Sequence, residues 1–219
     1  MSSMVLMDFE EFVVVASRAL RHDLINALFV VQAHIDFLKD DISPEKFNVI
    51  MAQTEKVLSI MEVWKELEEF GESSSWQELK TLLLRVRTQM NTPHLEINIQ
   101  DVKVNTNGLF QFVFRNLIDN SMRHGGKPDI DIVMSVSTRI EDSNLIIIYE
   151  DNGVGIPEED KSRIFAQGFG KHTGLGMFFA RQIIELMGGT IVENGAPGRG
   201  ARFQIKLPKD AYRISNCDL

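Results

Sequence analysis

Two glycine-rich runs in the C-terminal half carry residue types that suit a nucleotide pocket. The first, Asp151–Pro157, reads DNGVGIP and follows the apolar stretch Leu145–Tyr149, so Asp151 stands at the end of a predicted strand. A carboxylate there can accept a hydrogen bond from an adenine amino group. Gly153 and Gly155 let the backbone turn and approach the base, because they have no Cβ. Taken alone, the run is equally consistent with an Asn-Gly turn between strands.

The second run, Gly170–Gly176, reads GKHTGLG and opens a predicted helix. Glycines at a helix start leave free backbone N–H groups aimed at phosphates, and they free the loop to close over those phosphates. A lysine in the run supplies positive charge. The candidate nucleotide-binding residues here are Lys171, Thr173, Gly174, Leu175 and Gly176.

Aromatic residues flank a short loop between the two runs, at Ile164–Phe169. Bulky residues there could anchor a mobile lid, and the alternative is that they are ordinary core residues in an amphipathic turn. A further glycine turn, Gly198–Phe203, is predicted between two later strands.

The predicted helix Leu109–His124 has one amide-rich face. Asn116, Asn120 and Arg123 are spaced by four and three residues and therefore share that face. Amide oxygens that point into a pocket suit Mg²⁺, and Arg123 can bind a phosphate through a forked pair of hydrogen bonds. The alternative is a solvated amide face. The opposite, apolar side is predicted to be core and consists of Phe110, Val113, Phe114 and Leu117.

A histidine next to a carboxylate lies on the first predicted helix. At about 100° per residue, His22 points almost opposite the apolar seam that contains Leu20 and Leu24. Asn26 lies one turn further along the same face as His22. An exposed imidazole can act as a nucleophile once Asp23 accepts its proton or holds its tautomer. A His-Asp pair on a helix is also common by chance.

The order of these motifs resembles a two-component sensor histidine kinase over roughly residues 10–207. The motifs in question are His22-Asp23-x-x-Asn26, Asn116-Leu-Ile-Asp-Asn120, Asp151-x-Gly153-x-Gly155, the aromatic-flanked loop and Gly174-Leu-Gly176. The resemblance implies a dimerisation and histidine-phosphotransfer hairpin joined to an ATP-binding domain of the Bergerat type.

The resemblance also implies roles in the ATP-binding domain. Asp151 would bind the adenine amino group, and Asn120 would ligate Mg²⁺. Gly174 and Gly176 would line the phosphate side of the lid.

In the hairpin, the resemblance makes His22 the phosphorylated residue. Asp23 would then assist proton removal from the imidazole. Asn26 matches the position that orients water for dephosphorylation.

The chain departs from the commonest pattern of that family in three ways. Ala27 stands where a proline often follows the histidine by five residues, which leaves open whether the first helix is kinked. Arg123 and His124 stand where Lys-Tyr is frequent, which changes the side chains available to stack on a base. The lid segment Phe169–Thr173 is very short, which leaves open how it contacts the γ-phosphate.

A helical hairpin must carry the histidine motif. The first helix is predicted from about Asp8 to Lys39, and Ser43 is a plausible N-cap for a second helix that starts at Pro44 and ends near Gly71. Two helices cannot bury stripes this wide, so a second copy of the chain is expected to complete a four-helix bundle. The predicted stripes are Leu20, Leu24, Ala27, Val31 and Leu38, then Phe47, Ile50, Thr54, Leu58, Met61, Trp64 and Leu67.

The polar segment Gly71–Ser75 marks a boundary between predicted domains 1–72 and 73–219. Mixed helices and strands in the second domain predict an α+β sandwich, with a mixed sheet and helices on one of its faces. The predicted helices are Trp76–Gln89, Leu109–His124 and Leu175–Met187. The predicted strands are Leu95–Ile99, Ile130–Thr138, Asn144–Tyr149, Gly189–Glu193 and Ala201–Leu207.

The composition limits the classes of binding partner and the cellular compartment that are expected for this protein. The net charge of −8 over 219 residues argues against nucleic acid or an anionic membrane as the main partner. The single cysteine, Cys217, excludes an internal disulfide and favours the reducing cytoplasm. No apolar run is long enough to span a bilayer, and no signal peptide is recognised. The chain can still be the cytoplasmic portion of a longer, membrane-bound sensor.

The sequence therefore predicts a homodimeric, ATP-dependent histidine autokinase with ATP and Mg²⁺ as cofactors. It would phosphorylate His22 and pass the phosphoryl group to an aspartate in the receiver domain of a response regulator. It would also remove the phosphoryl group from that regulator as a phosphatase. Three alternatives stay open: a phosphotransfer protein with a decayed nucleotide domain, a Bergerat-fold ATPase or serine kinase, and a structural dimerisation module.

Overall fold

The computed structural model describes residues 24–38, 43–69, 74–92, 94–106, 108–125, 131–166, 169 and 176–215. The chain divides into two compact units, Met1–Gly71 and Glu72–Leu219. Within the described residues, no helix is both long and apolar enough to cross a membrane.

Two helices make up the described part of the first unit, α1 over residues 24–37 and α2 over Pro44–Glu69. The predicted start of α2 is confirmed: Pro44 is its first residue, and Lys46 N donates to Ser43 Oγ at 3.4 Å. The predicted start of the first helix at Asp8 lies outside the described residues.

The least exposed stripe of α1 differs from the predicted one. Ile35 is buried, and Ile25, Leu28 and Gln32 are half-buried at spacings of three and four residues. The members of the predicted seam that the structure describes are exposed, namely Leu24, Ala27, Val31 and Leu38. The helix therefore has two apolar stripes, and among the described residues only one of them is covered.

The second unit contains eight strands and three longer helices. In chain order they are β1 (Ser75–Glu78), α3 (Leu79–Gln89), β2 (Leu95–Asn98), β3 (Val102–Thr106), α4 (Leu109–His124), β4 (Met134–Glu141), β5 (Asn144–Asp151), α5 (Gly176–Leu186), β6 (Thr190–Glu193), β7 (Arg202–Leu207) and β8 (Tyr212–Ile214). Short 3₁₀ turns occur at Glu158–Asp160 and Lys209–Ala211.

Five strands form the main sheet, in the order β2-β4-β5-β7-β6. Only β2 and β4 are parallel, and the other neighbours are antiparallel. This mixed sheet, together with the helices, confirms the predicted α+β class. The central strand β5 is buried from Leu145 to Tyr149, which explains its continuous apolar sequence.

A second, antiparallel sheet of β1, β3 and β8 was not predicted. The predicted helix Trp76–Gln89 is wrong in its first three residues, because Trp76–Glu78 pair with β3 and the helix begins at Leu79. The strands β3 and β8 have five and three residues, too few to show a clear period in the sequence. The predicted strand Ile130–Thr138 is also shifted, since β4 begins at Met134.

The helix α4 packs against both α3 and α5 and supplies much of the core. Its bounds match the prediction. The predicted core side of α4 is confirmed, since Phe110, Val113, Phe114 and Leu117 are fully buried. The opposite, amide-bearing side is therefore held at a fixed position relative to the end of β5.

Candidate functional site

Asp151 ends β5 with its carboxylate buried and bound on both oxygens. Oδ1 accepts hydrogen bonds from the backbone N–H groups of Gly153 and Ala201, each at 2.9 Å. Oδ2 accepts one from Ser121 Oγ at 2.6 Å. Three donors fix the orientation of this side chain, and hydrogen bonds to a carboxylate are stronger than neutral ones.

Ser121 and Tyr149 extend this network into the core. Tyr149 Oη lies 2.8 Å from Ser121 Oγ and 3.2 Å from the carbonyl oxygen of Leu117. Burial raises the pKa of Tyr149 far above its ordinary value, and the nearby charge of Asp151 acts in the same direction. The phenol therefore remains a neutral hydrogen-bond donor.

Two close backbone contacts explain why glycines surround Asp151. A Cβ on Gly153 would lie 2.5 Å from the carbonyl oxygen of Gly125, which follows α4. A Cβ on Gly200 would lie 1.8 Å from the carbonyl oxygen of Asp151. The end of β5 is thus enclosed by bare backbone, while the approach of Gly153 to a base stays a prediction.

The run after Asp151 is held by a second loop, residues 194–200. Gly155 has φ +72°, and a Cβ there would lie 2.9 Å from the carbonyl oxygen of Gly200. Gly198 N donates to the carbonyl oxygen of Val154 at 2.8 Å. Asn152 faces away and accepts from Val133 N at 3.0 Å. The Asn-Gly segment is therefore a loop held by contacts with residues 194–200 rather than a plain hairpin turn between strands.

A lysine holds that second loop in place. Lys161 Nζ donates to the carbonyl oxygen of Gly195 at 2.7 Å and to Glu158 Oε2 at 2.6 Å. It also lies 3.7 Å from the buried carboxylate of Glu193, whose Oε1 accepts from Gly195 N and Arg202 N. The hydrogen bond to Glu158 raises the pKa of Lys161 above its ordinary value.

The amide face of α4 lies against the start of α5. A Cβ on Gly176 would be 2.1 Å from Asn116 Oδ1, and Asn116 Nδ2 donates to the carbonyl oxygen of Phe112 at 2.8 Å. Asn120 is half-buried, and its side chain makes no hydrogen bond with any residue that the structure describes. Since Asn116 and Ser121 are five residues apart, about 7.5 Å of helix separates the two ends of the site.

The third predicted residue on that face, Arg123, is engaged elsewhere. Its Nε donates to Asp119 Oδ1 at 2.8 Å, and about half of its side chain is exposed. His124 is the last residue of α4, and its backbone alone is described.

The two aromatic residues of the aromatic-flanked loop differ in burial. Phe165 is buried, with its ring centroid 6.3 Å from that of Phe203 and the guanidinium of Arg181 5.8 Å away. Phe169 is half-buried below Arg163, at 5.0 Å. The core alternative therefore fits Phe165.

Several predicted site residues lie outside the described residues. They are His22, Asp23, Lys171, Thr173, Gly174 and Leu175. Asn26 is described and is exposed on α1, as are the described members of the predicted seam.

Sequence reasoning missed Ser121, Tyr149, Gly125 and Gly200 as parts of this site. A signal existed for Tyr149, because residues two apart on a strand face the same side and Tyr149 precedes Asp151 by two. Ser121 follows Asn120 directly, but its contact with Asp151 depends on how α4 crosses the sheet.

Residues 105–211 match the family described as histidine kinase-, DNA gyrase B- and HSP90-like ATPases. Proteins named as histidine kinases match across both units. ArlS of Staphylococcus aureus is 25% identical over 220 residues, covering 84% of this chain, and FilI of Methanothrix harundinacea is 25% identical over 92% of it. The chain therefore resembles histidine kinases over most of its length, and residues 105–211 match the histidine kinase-like ATPase family.

Other matches to sensor histidine kinases are shorter but closer. AfsQ2 of Streptomyces coelicolor is 33% identical over 106 residues, which is 45% of this chain and 19% of that protein. The chain spans 46% of the length of ArlS and 25% of that of FilI, so it corresponds to less than half of these relatives.

Two solved structures share the fold. AdeS of Acinetobacter baumannii, at 20% identity, covers 88% of this chain and 98% of its own, with a TM-score of 0.56. Full-length ShkA in complex with AMPPNP, at 18% identity, covers 88% of this chain and 45% of its own, with a TM-score of 0.59. They support the Bergerat-type α+β architecture of the second unit.

Proposed function

We propose that this chain is an ATP-dependent histidine autokinase of two-component signalling. The observation that carries the proposal is the buried carboxylate of Asp151, which three donors hold at the end of β5 in a domain of the histidine kinase-like ATPase family. Such a carboxylate can select adenine, because the exocyclic amino group of adenine is a hydrogen-bond donor.

We assign the metal to the amide face of α4. Asn120 fits Mg²⁺, since its amide is half-buried, free of described partners and one residue from Ser121. When bound, Mg²⁺ neutralises charge on the phosphates. His124, at the end of α4, takes the base-stacking role.

The phosphates would lie toward the start of α5, beside Asn116. Lys171, Thr173, Gly174 and Leu175 complete this side in the proposal, and their positions lie outside the described residues. Gly176 is described, and its contact with Asn116 brings α5 against the amide face. Arg123 can reach a phosphate by exchanging its exposed ion pair with Asp119, since exposed pairs are weak.

The phosphoacceptor is His22. One imidazole nitrogen attacks the γ-phosphorus, the bond from that phosphorus to the β,γ-bridging oxygen breaks, and ADP leaves while Asp23 accepts the imidazole proton. Positioning and charge neutralisation supply most of the catalysis, as in phosphoryl transfer generally. The phosphoryl group then passes to an aspartate in the receiver domain of a response regulator.

A homodimer is proposed for the first unit. Its helices expose large apolar side chains that one chain leaves uncovered, and Phe37 is 86% exposed. A second copy would cover them in a four-helix bundle. The exposed set is Leu24, Phe29, Val30, Val31, Phe37, Leu38, Val49, Ile50 and Val57.

The remaining assignments follow from the same role. We propose a cytoplasmic location, where ATP and a response regulator are available, as part of a longer, membrane-bound sensor. Asn26, exposed on α1, would orient the water that hydrolyses the phosphorylated regulator. A decayed nucleotide domain is disfavoured, because the three-donor cradle of Asp151 is intact.

Incubation with γ-labelled ATP tests the proposal. Label that is lost in acid and retained in base identifies phosphohistidine, whereas phosphoserine behaves in the opposite way. His22→Gln should abolish labelling and leave nucleotide affinity nearly unchanged. His34→Gln is the matched control, since His34 is exposed on α1. Label retained on His22→Gln would contradict the assignment of the phosphoacceptor.

A further inference from the structure

The carboxylate of Asp151 has few acceptor positions left. A carboxylate offers about four lone-pair positions, two on each oxygen. Gly153 N and Ala201 N take both positions on Oδ1. Ser121 Oγ takes one position on Oδ2. A ligand donor would therefore use the remaining position on Oδ2, the same atom that Ser121 holds.

The hydroxyl of Ser121 could in principle point elsewhere. Its Oγ also lies 3.2 Å from the carbonyl oxygen of Leu117, one turn back on α4. Two features favour Asp151: the distance is shorter, at 2.6 Å, and the acceptor is charged. A hydroxyl has a single proton, so Ser121 can donate to only one of these acceptors at a time.

The carboxylate of Asp151, which can only accept, sets the direction of donation, and Tyr149 completes the chain of hydrogen bonds. Its hydroxyl lies 2.8 Å from Ser121 Oγ, and both side chains are buried. Burial raises the pKa of Tyr149, so its phenol keeps its proton and can donate to Ser121. Ser121 then donates onward to Asp151, and cooperative polarisation strengthens both bonds. With Ser121 donating to Asp151, Tyr149 donates to Ser121 Oγ at 2.8 Å in preference to the carbonyl oxygen of Leu117 at 3.2 Å.

We propose that Ser121, supported by Tyr149, is a positioning residue for base recognition that aims the open acceptor of Asp151 Oδ2 at the 6-amino group of an adenine nucleotide. This inference rests on the proposed function, since it requires an adenine base at Asp151. Ser121 acts through Asp151 and does not itself touch the base.

A comparison of two nucleotides separates this role from a structural one. ATP carries the 6-amino group, and purine riboside triphosphate differs by having hydrogen there. Both are titrated against the full chain and the Ser121→Ala variant. Ser121→Ala should weaken ATP binding roughly tenfold and leave purine riboside triphosphate binding nearly unchanged. The preference for ATP should therefore fall by the same factor.

Two further variants keep the test decisive if Ser121→Ala folds poorly. Tyr149→Phe removes one buried oxygen and frees Ser121 to turn toward Leu117, so a smaller loss of ATP preference is expected. Ser121→Thr keeps the hydroxyl and should restore the preference. Thr88→Ala is the control, because it removes an exposed helical hydroxyl that bonds its own helix, at Leu84.

The outcomes are distinct. An equal loss for both nucleotides, or no loss for either, would overturn the positioning role and leave the proposed function standing. A folded wild-type chain that binds neither nucleotide would overturn the proposed function and this inference together. A loss confined to ATP in Ser121→Ala, smaller in Tyr149→Phe and absent in Thr88→Ala, supports the inference.

Discussion

Gly176 lies directly against the side chain of Asn116, so that a Cβ on Gly176 would be 2.1 Å from Asn116 Oδ1. Asn116 cannot turn away freely, because its Nδ2 donates to the carbonyl oxygen of Phe112 at 2.8 Å. The first turn of α5 therefore packs against the amide face of α4.

Gly176→Ala should destabilise the second unit by about 1–3 kcal/mol, as overpacking of a tight contact usually does. Denaturant unfolding measures this change. Adding Asn116→Ala to the same chain removes the clashing amide and should recover part of the loss. A double variant as unstable as the sum of the two single variants would show that the clash is not the cause.

Asp151→Asn should reduce nucleotide affinity more than tenfold while the fold survives. The amide oxygen can still accept from Gly153 N and Ala201 N, whereas the amide nitrogen would oppose the amino group of adenine with a second donor. A charge-assisted hydrogen bond contributes roughly 1.5–3 kcal/mol. Titration with an ATP analogue measures the affinity. Asp151→Ala, which also removes the Oδ1 cradle, should be the less stable of the two variants.

Lys161→Met should lower stability at neutral pH, because it leaves the carboxylate of Glu193 buried without its cation. The hydrogen bond to Glu158 raises the pKa of Lys161 above 10.5, so its stabilising effect is complete below that pH. The effect is lost as pH rises through the folded-state pKa. Unfolding curves of both proteins from pH 7 upward should converge at high pH, and a constant difference would contradict the pairing.

Asn120→Ala should change the magnesium dependence of labelling more than the affinity for ADP without metal. An amide oxygen supplies one ligand to an ion that otherwise keeps water, so its loss disturbs metal placement first. Met122→Ala, at an exposed position on α4, is the neighbouring control. Metal-free ADP binding that collapses in Asn120→Ala would point to a structural role instead.

Asn26→Ala should retain most autokinase activity and lose phosphatase activity toward the phosphorylated regulator. A side-chain amide can orient a water molecule and a methyl group cannot. The half-life of phosphorylated regulator with ADP present is the measurement. Gln32→Ala, half-buried on the other stripe of α1, controls for general effects on the helix, and equal half-lives for Asn26→Ala and wild type would contradict the assignment.

Periodicity predicted the long elements well and the short ones poorly. The bounds of α4 and its core side follow from sixteen residues of amphipathic sequence. The strands β1, β3 and β8 are short and gain their pairing from residues far along the chain, such as Ser75 with Thr106 and Val102 with Ile214. No local pattern encodes those pairs.

The residues of the candidate site likewise fall into those that the sequence predicted and those that it did not. Asp151, Gly153 and Gly176 were predicted, because each sits in a local run with a chemical reason for its residue type. Ser121 and Gly200 were not, because their contacts with Asp151 span 30 and 49 positions of the chain. The buried stripe of α1 was also misplaced, since a helix with two apolar stripes does not reveal which one its own chain covers.

Gly153 and Gly125 lie in close contact, and neither residue has a side chain that a substitution could make smaller. Most steric clashes in a core can be relieved by substituting a neighbouring residue with a smaller one, so second-site suppressors arise readily there. At Gly153 the obstructing atoms are the carbonyl oxygen and Cα of Gly125, at 2.5 and 2.6 Å from a Cβ. No substitution at position 125 can remove them. A genetic screen that begins from Gly153→Ala should therefore recover reversion to glycine, and no compensating change at Gly125.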